Sequence, residues 1–383
     1  MLKEHGCIVA VFTLLISLFS QGCSIHDEAE IAGDPSLDVK IGQMLLVGFR
    51  GLAVDGGHPI VRDIRERHLG GVVLFDYDVP TGSPVRNIES PEQVRTLIAS
   101  LQSHAAIPLL VAVDQEGGRV CRLKEKFGFP PTVSAEYLGR LNDPSVTCRY
   151  ASAMAKTLAE AGINLNLAPV VDLNVNPDNP VIGKLERSFS ADPGIVTENA
   201  RAFIRAHHDQ RVLCTLKHFP GHGSSTGDSH LGMVDVTDTW SPMELEPYRA
   251  LVEEGMADAV MTAHVFNARL DPGYPATLSR STVTGLLRQE MGYEGPVLSD
   301  DMQMKALSEQ YGFETAVEKA VAAGVDILVI ANNSVYEENA VARTVAVIRN
   351  LVRDGKIGED RIDRSYERIR GLKNRMKNSR KEF

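Results

Sequence analysis

The chain predicts an α/β protein, a (β/α)8 or TIM barrel built as a single domain, on three observations. Eight short apolar runs of strand length recur along it, separated by amphipathic stretches of helical period. Clusters of charged and histidine side chains directly follow several of these runs, at the strand ends where such barrels carry their chemistry. A doubly wound sheet would alternate in the same way, but no Gly-x-Gly-x-x-Gly fingerprint is present.

The expected strands are Met44–Gly48, Gly71–Phe75, Leu109–Val113, Ile163–Leu167, Val212–Leu216, Ala259–Ala263, Val297–Ser299 and Val325–Ile330. Helical signals lie between them. Ser90-Pro91-Glu92-Gln93 reads as a capping box with proline at the first helical position, followed by an apolar stripe of Val94, Leu97, Ile98 and Leu101. Phe313 to Ala323 repeats the pattern and ends at Gly324, a suitable residue just past a helix end. The stretch from Arg361 through Lys381 is rich in Arg and Lys, and periodic Ile362, Tyr366 and Ile369 predict a helix whose basic residues form a solvated face. No internal repeat or low-complexity tract interrupts the alternation.

Composition is that of an ordinary globular chain: 383 residues, 43% hydrophobic and 23% charged. The formal charge of −10 argues against nucleic acid as a partner, since phosphate binding needs a basic surface. At the N-terminus, Ile8 to Ser20 is an apolar segment too short to span a bilayer comfortably, preceded by Lys3 and running into Gln21-Gly22-Cys23. It resembles a bacterial lipoprotein signal covering residues 1–22, with Cys23 as the lipidated residue. Ser20 and Glu4 depart from the usual pattern, and a plain secretory signal cut nearby is the alternative. Residues 23–35, rich in Asp, Glu, Ala and Gly, read as a tether, and 36–383 as the folded domain. After Cys7 and Cys23, only Cys121, Cys148 and Cys214 remain, too few for a disulfide framework, and Cys214 reads as inert strand packing.

The densest chemistry follows the run Val212–Leu216. Lys217-His218-Phe219-Pro220-Gly221-His222-Gly223, closed by Asp228-Ser229-His230, gathers three histidines, a lysine and an aspartate around glycines that free the backbone to fold over a ligand. Lys217 and His218 leave the strand end together and can donate to a polyol. Asp228 and His230 are two apart, so a turn can set the carboxylate on one imidazole nitrogen and leave the other facing a ligand. A metal site built from His218, His222, Asp228 and His230 is the competing reading, without the helical spacing of a metalloprotease.

With the rest of the chain, this loop resembles glycoside hydrolase family 3, and within it the β-N-acetylhexosaminidase branch. The resemblance spans roughly Ile41 to Gly371. It implies that His230 is the general acid/base, with Asp228 its orienting partner, and that Lys217 and His218 contact sugar hydroxyls. By the same resemblance Asp114, in Asp114-Gln115-Glu116-Gly117-Gly118-Arg119, and Arg122 bind the sugar, and Arg187 of Arg187-Ser188-Phe189 holds the substrate. The bland alternatives are a Gly-Gly turn and an arginine paired with Glu186. The absence of a following domain, from which β-glucosidase-like members draw their acid/base, favours the hexosaminidase branch.

The second half of the chemistry is Pro296-Val297-Leu298-Ser299-Asp300-Asp301-Met302, an apolar run ending in two carboxylates. The resemblance makes Asp300 the nucleophile. Alternation along a strand turns Asp301 to the other side, where it reads as an N-cap for a helix from Met302 to Leu307. Nucleophile and proton donor on opposite faces of the anomeric carbon describe a retaining glycosidase, which needs neither metal nor organic cofactor. The implied partner is an N-acetylglucosamine-containing oligosaccharide, from peptidoglycan fragments or chitin, with the membrane engaged only through a lipid anchor. A phosphorylase using the same histidine, and a sugar-binding lipoprotein without catalysis, remain as alternatives.

Overall fold

In the computed structural model, residues 34–378 are described, so the expected signal, tether and Cys23 lie outside the described residues apart from Asp34 and Pro35. A compact unit begins at Ser36. Its frame is eight parallel strands: β1 (Leu45–Gly48), β2 (Gly71–Leu74), β3 (Leu110–Val113), β4 (Leu165–Asn166), β5 (Leu213–Phe219), β6 (Ala259–Thr262), β7 (Val297–Leu298) and β8 (Leu328–Ile330). Neighbours pair in the order β7-β6-β5-β4-β3-β2-β1-β8. A parallel bridge from Leu298 to Ile327, just before β8, joins the two ends. The Ser299 and Ile327 amides donate across that seam to the Ile327 and Val297 carbonyls. The sheet is therefore a closed (β/α)8 barrel, with no long unpaired edge.

All eight expected strands exist, with ends shifted by a few residues. Buried Leu, Val, Ile and Met fill both faces of the strands, as a parallel sheet covered by helices requires. The helix Pro91–Ser103 is capped by Ser90, whose hydroxyl accepts from the Gln93 amide at 3.2 Å. Gln93 does not reach back to the Ser90 amide; its Oε1 accepts instead from Glu89 N at 3.0 Å. The helix Phe313–Ala323 ends at Gly324 with φ of 120°.

One expectation needs correction. The C-terminal helix Glu359–Asn378 buries Ile362, Tyr366 and Ile369 as predicted, but its basic residues are not simply a solvated face. They close the N-terminal end of the barrel. Arg361 and Arg368 reach Asp326 at 3.4 Å, and Arg375 meets Asp258 at 2.8 Å. The fully enclosed Lys373 donates to Gln43 Oε1 at 2.7 Å and the Gly70 carbonyl at 2.8 Å. Burial without a carboxylate beside it pushes the Lys373 amine down to about 7. Helical periodicity shows which residues share a stripe; it does not show that the opposite stripe meets strand-end carboxylates.

Candidate active site

At the other end of the barrel, the loops after the strands surround a cleft of about 420 Å³. All eight residues singled out in the sequence line it: Asp114, Arg122, Arg187, Lys217, His218, Asp228, His230 and Asp300. The ends of four strands, β3, β4, β5 and β7, with the loops after them, bring them together across about 190 positions of sequence, which only barrel closure can do.

The floor is a chain of alternating charges. Lys217 bridges Asp114 Oδ1 and Glu116 Oε1, both at 2.7 Å. Glu116 clasps Arg187 through two parallel bonds of 2.7 Å. Arg187 donates at 3.2 Å to Nε2 of His218, and Nδ1 of His218 meets Asp172 Oδ2 at 2.7 Å. Arg122 closes the other end on Asp114 at 3.4 Å, with the Phe75 ring beneath it. Burial alone would raise the Asp114 carboxyl, but Lys217 and Arg122 hold it well below the carboxylate range. Burial would likewise lower the Lys217 amine, and Asp114 with Glu116 outweighs it, so the amine stays charged. Such a floor presents fixed donors and acceptors to several hydroxyls at once.

Lys217 and His218 both enter this floor because of a local irregularity in β5. Thr215 and Leu216 pair with Ala259 and Val260, but Phe219 pairs with Thr262, so two residues of β5 stand opposite one of β6. Contrary to the expectation that Lys217 and His218 leave the strand end, both belong to β5, which continues to Phe219.

Past β5 the loop turns at His222, whose ring is held by Ser225 at 2.8 Å and Ser229 at 3.3 Å and by burial is brought down to about 4. Asp228 then meets His230 as the spacing predicts: Oδ1 lies 2.8 Å from Nδ1 and accepts the His230 amide at 2.9 Å. One oxygen fixes both backbone and ring, leaving Nε2 pointed away from Asp228. The four-ligand metal set does not converge, because His218 and His222 are turned to other partners. Among the described residues no three His, Cys, Asp or Glu side chains form a metal-holding group.

Asp300 stands at the end of β7. Burial would raise its carboxyl, but His264, His218 and His230 together hold it below the usual range, so it is ionised. Asp301 differs from expectation. The helix there is only Lys305–Ser308 and is preceded by Met304, so Asp301 does not cap it. Its Oδ1 instead accepts from Gln303 N at 3.1 Å and Ala331 N at 3.0 Å, tying the β7 loop to the end of β8. Burial pushes the Asp301 carboxyl up to about 6. The two neighbours are thus electrostatically distinct.

Three residues escaped the sequence reading: Glu116, Asp172 and His264. Each lies just beyond a strand, so the strand-end rule applied to every strand would have found Asp172 after β4 and His264 after β6. Glu186 is not the partner of Arg187; it pairs with Arg119 at 3.1 Å on the exposed side, leaving Arg187 to Glu116.

A closed (β/α)8 barrel whose strand-end cleft couples a buried charge network with an ionised aspartate and a histidine–aspartate pair is an arrangement suited to glycoside hydrolysis. Residues 36–372 match the model of the glycosyl hydrolase family 3 N-terminal domain. A β-hexosaminidase of Tolumonas auensis is 36% identical over 76% of this chain and 83% of its own. β-Hexosaminidase A of Pseudoalteromonas piscicida is 33% identical over 84% of this chain. The solved family 3 β-N-acetylglucosaminidase of Paenibacillus sp. str. FPU-7 superposes with a TM-score of 0.82 at 36% identity over 90% of this chain. The chain spans 56% of the Pseudoalteromonas protein and 63% of the Paenibacillus one. The chain belongs to glycoside hydrolase family 3.

Proposed function

We propose that this chain is a retaining, exo-acting β-N-acetylhexosaminidase that releases terminal N-acetylglucosamine from β-linked glycans. The observation that carries this reading is the pairing, across one cleft, of the ionised Asp300 with the His230–Asp228 couple, whose Nδ1 to Oδ1 distance is 2.8 Å. Relatives bearing the name β-hexosaminidase support the substrate class.

In the first step Asp300 attacks the anomeric carbon while His230 gives its proton to the departing oxygen, leaving a glycosyl ester. In the second, His230 takes a proton from water, which displaces Asp300. Asp228 holds the imidazole in the tautomer with Nδ1–H toward the carboxylate, so Nε2 handles the substrate proton. Lys217, His218, Arg187, Asp114 and Arg122 hold the sugar hydroxyls. The N-terminal segment makes the protein an exported lipoprotein anchored through Cys23.

The test is turnover of an aryl β-N-acetylglucosaminide against the matching glucoside, in phosphate and in phosphate-free buffer. The proposal requires strong preference for the acetamido sugar and free N-acetylglucosamine as product. Sugar 1-phosphate would convert the reading to a phosphorylase, and no turnover by a folded protein would leave a sugar-binding lipoprotein.

A further inference from the structure

Beneath the loop that carries Asp228 and His230 lies a carboxylic acid that the chemistry above does not use. Glu244, 1% exposed, sits in the short helical turn Pro242–Leu245. Its Oε2 accepts from the Gly223 amide at 3.1 Å. A Cβ on Gly221 would lie 2.7 Å from both Cβ and Oε2 of Glu244, and Gly221 has φ of 125°, so backbone and carboxyl are packed face to face. On the opposite side, a Cβ on Gly223 would meet the Leu173 carbonyl at 1.7 Å. The loop is clamped between the segment after β4 and Glu244, and Trp240 adds a bond to the Pro220 carbonyl at 3.1 Å. The Ser224 hydroxyl lies beside the Glu244 carboxyl, and the Tyr248 hydroxyl is buried with no hydrogen-bond partner among the described residues.

We propose that Glu244 is a positioning residue for the catalytic loop: wedged beneath Gly221 and Gly223, its carboxyl sets the path by which the chain leaves His218 and reaches Asp228 and His230. This rests on the reading of Asp228 and His230 as the acid/base pair. The groups facing Glu244 are Asp172 from the segment after β4, the Ser224 hydroxyl and the Gly223 and Ser224 amides from the loop, and Tyr248 from the helix Glu246–Glu253. Burial pushes the carboxyl up to about 7, against hydrogen bonds from Ser224 and Gly223 and with Asp172 adding to the rise. The neutral acid fits the clamp. The anion would face ionised Asp172 in a buried pocket, and Asp172 itself holds the amides of His218 and His222. Ionisation of Glu244 therefore loosens the loop and lowers the rate, while no sugar-binding side chain of the floor bonds to Glu244 itself.

The experiment compares wild type with Glu244→Gln and Glu244→Ala on the aryl β-N-acetylglucosaminide from pH 6 to pH 8. Glutamine stands in for the neutral acid, and titration of His230 cancels in the ratio of the two enzymes. A single proton lost near pH 7 makes the kcat ratio of Glu244→Gln to wild type climb about tenfold over that range, with KM moving less than twofold. Glu244→Ala loses at least about tenfold in kcat at pH 6, which Glu244→Gln partly restores. A flat ratio, or an alanine variant matching wild type, overturns the proposal; if the alanine variant does not fold, the glutamine ratio alone decides. Hydrogen exchange at the amides of residues 221–231, taken without substrate, should accelerate above pH 7 in wild type beyond the intrinsic rate and beyond Glu244→Gln. That measurement reads the loop whichever glycoside is cleaved, so a positive result with no hexosaminidase activity would remove the functional reading and keep this one.

Discussion

Asp172→Asn removes one charge and changes no shape, yet it should damage the site severely. Asp172 is fully buried and accepts from the His222 amide at 2.8 Å, the His218 amide at 3.2 Å and the His218 ring at 2.7 Å. The ring cannot adapt. Arg187 only donates, and it lies 3.2 Å from Nε2, so Nε2 accepts and the proton sits on Nδ1, toward Asp172. An asparagine has one acceptor oxygen. If that oxygen faces the His222 amide, its NH2 group meets the ring N–H; if it faces the ring, the NH2 group meets the backbone. Either way one charge-assisted bond of about 1.5–3 kcal/mol is lost and one buried donor is stranded at about 1–3 kcal/mol. A net cost near 4 kcal/mol corresponds to a fall in Tm of roughly 5 °C for a domain of this size. On the proposed function, misplacing His218 removes one sugar contact, a loss of about 10- to 100-fold in kcat/KM. Calorimetry and initial rates on the aryl substrate check both numbers. A variant with Tm within 1 °C and kcat/KM within threefold of wild type would refute the donor–acceptor argument.

Asp300→Asn should lower kcat by several orders of magnitude with the fold intact, whereas Asp301→Asn, which keeps the oxygen that accepts from Gln303 and Ala331, should cost far less; steady-state kinetics with circular dichroism decide, and the reverse order would move the nucleophile to Asp301. His230→Ala should show a burst on an activated aryl glycoside and faster turnover with azide, and Asp228→Asn a milder version of the same defect; no accumulation of glycosyl-enzyme in the alanine variant contradicts the acid/base assignment. Lys373, lowered from 10.5 to about 7 in the fold, binds fewer protons there than in the unfolded chain, so stability should rise with pH between about 7 and 10.5. Lys373→Met should flatten that slope by up to about 1.4 kcal/mol per pH unit, and equal urea-unfolding slopes in both proteins would count against a neutral buried lysine. Cys23→Ala should shift the protein from the membrane to the soluble fraction, and an intact Met1 on a cytosolic protein would end the lipoprotein reading.

The barrel was legible because its signals are local. Apolar runs such as Val212–Leu216, the Ser90 cap and the Gly324 stop each depend on a few adjacent residues, and eight of them in alternation leave little choice of architecture. The Asp228–His230 contact was legible for the same reason, since two residues and a turn suffice. Asp301 was misassigned because its partner, the Ala331 amide, belongs to the next strand, and the basic face of the last helix because Asp326 and Asp258 lie at strand ends it meets only after the barrel closes. The Glu116 clasp on Arg187 spans 71 positions and the His218–Asp172 bond 46, distances at which sequence spacing carries no geometric information. What the sequence by itself determined was the set of elements and the side chains offered at their ends, because propensity, capping and periodicity are properties of neighbouring residues. Which of those side chains meet, which proton each holds and which carboxylate stays ionised were decided only by the tertiary structure, because desolvation and Coulomb forces depend on what burial brings within a few ångströms.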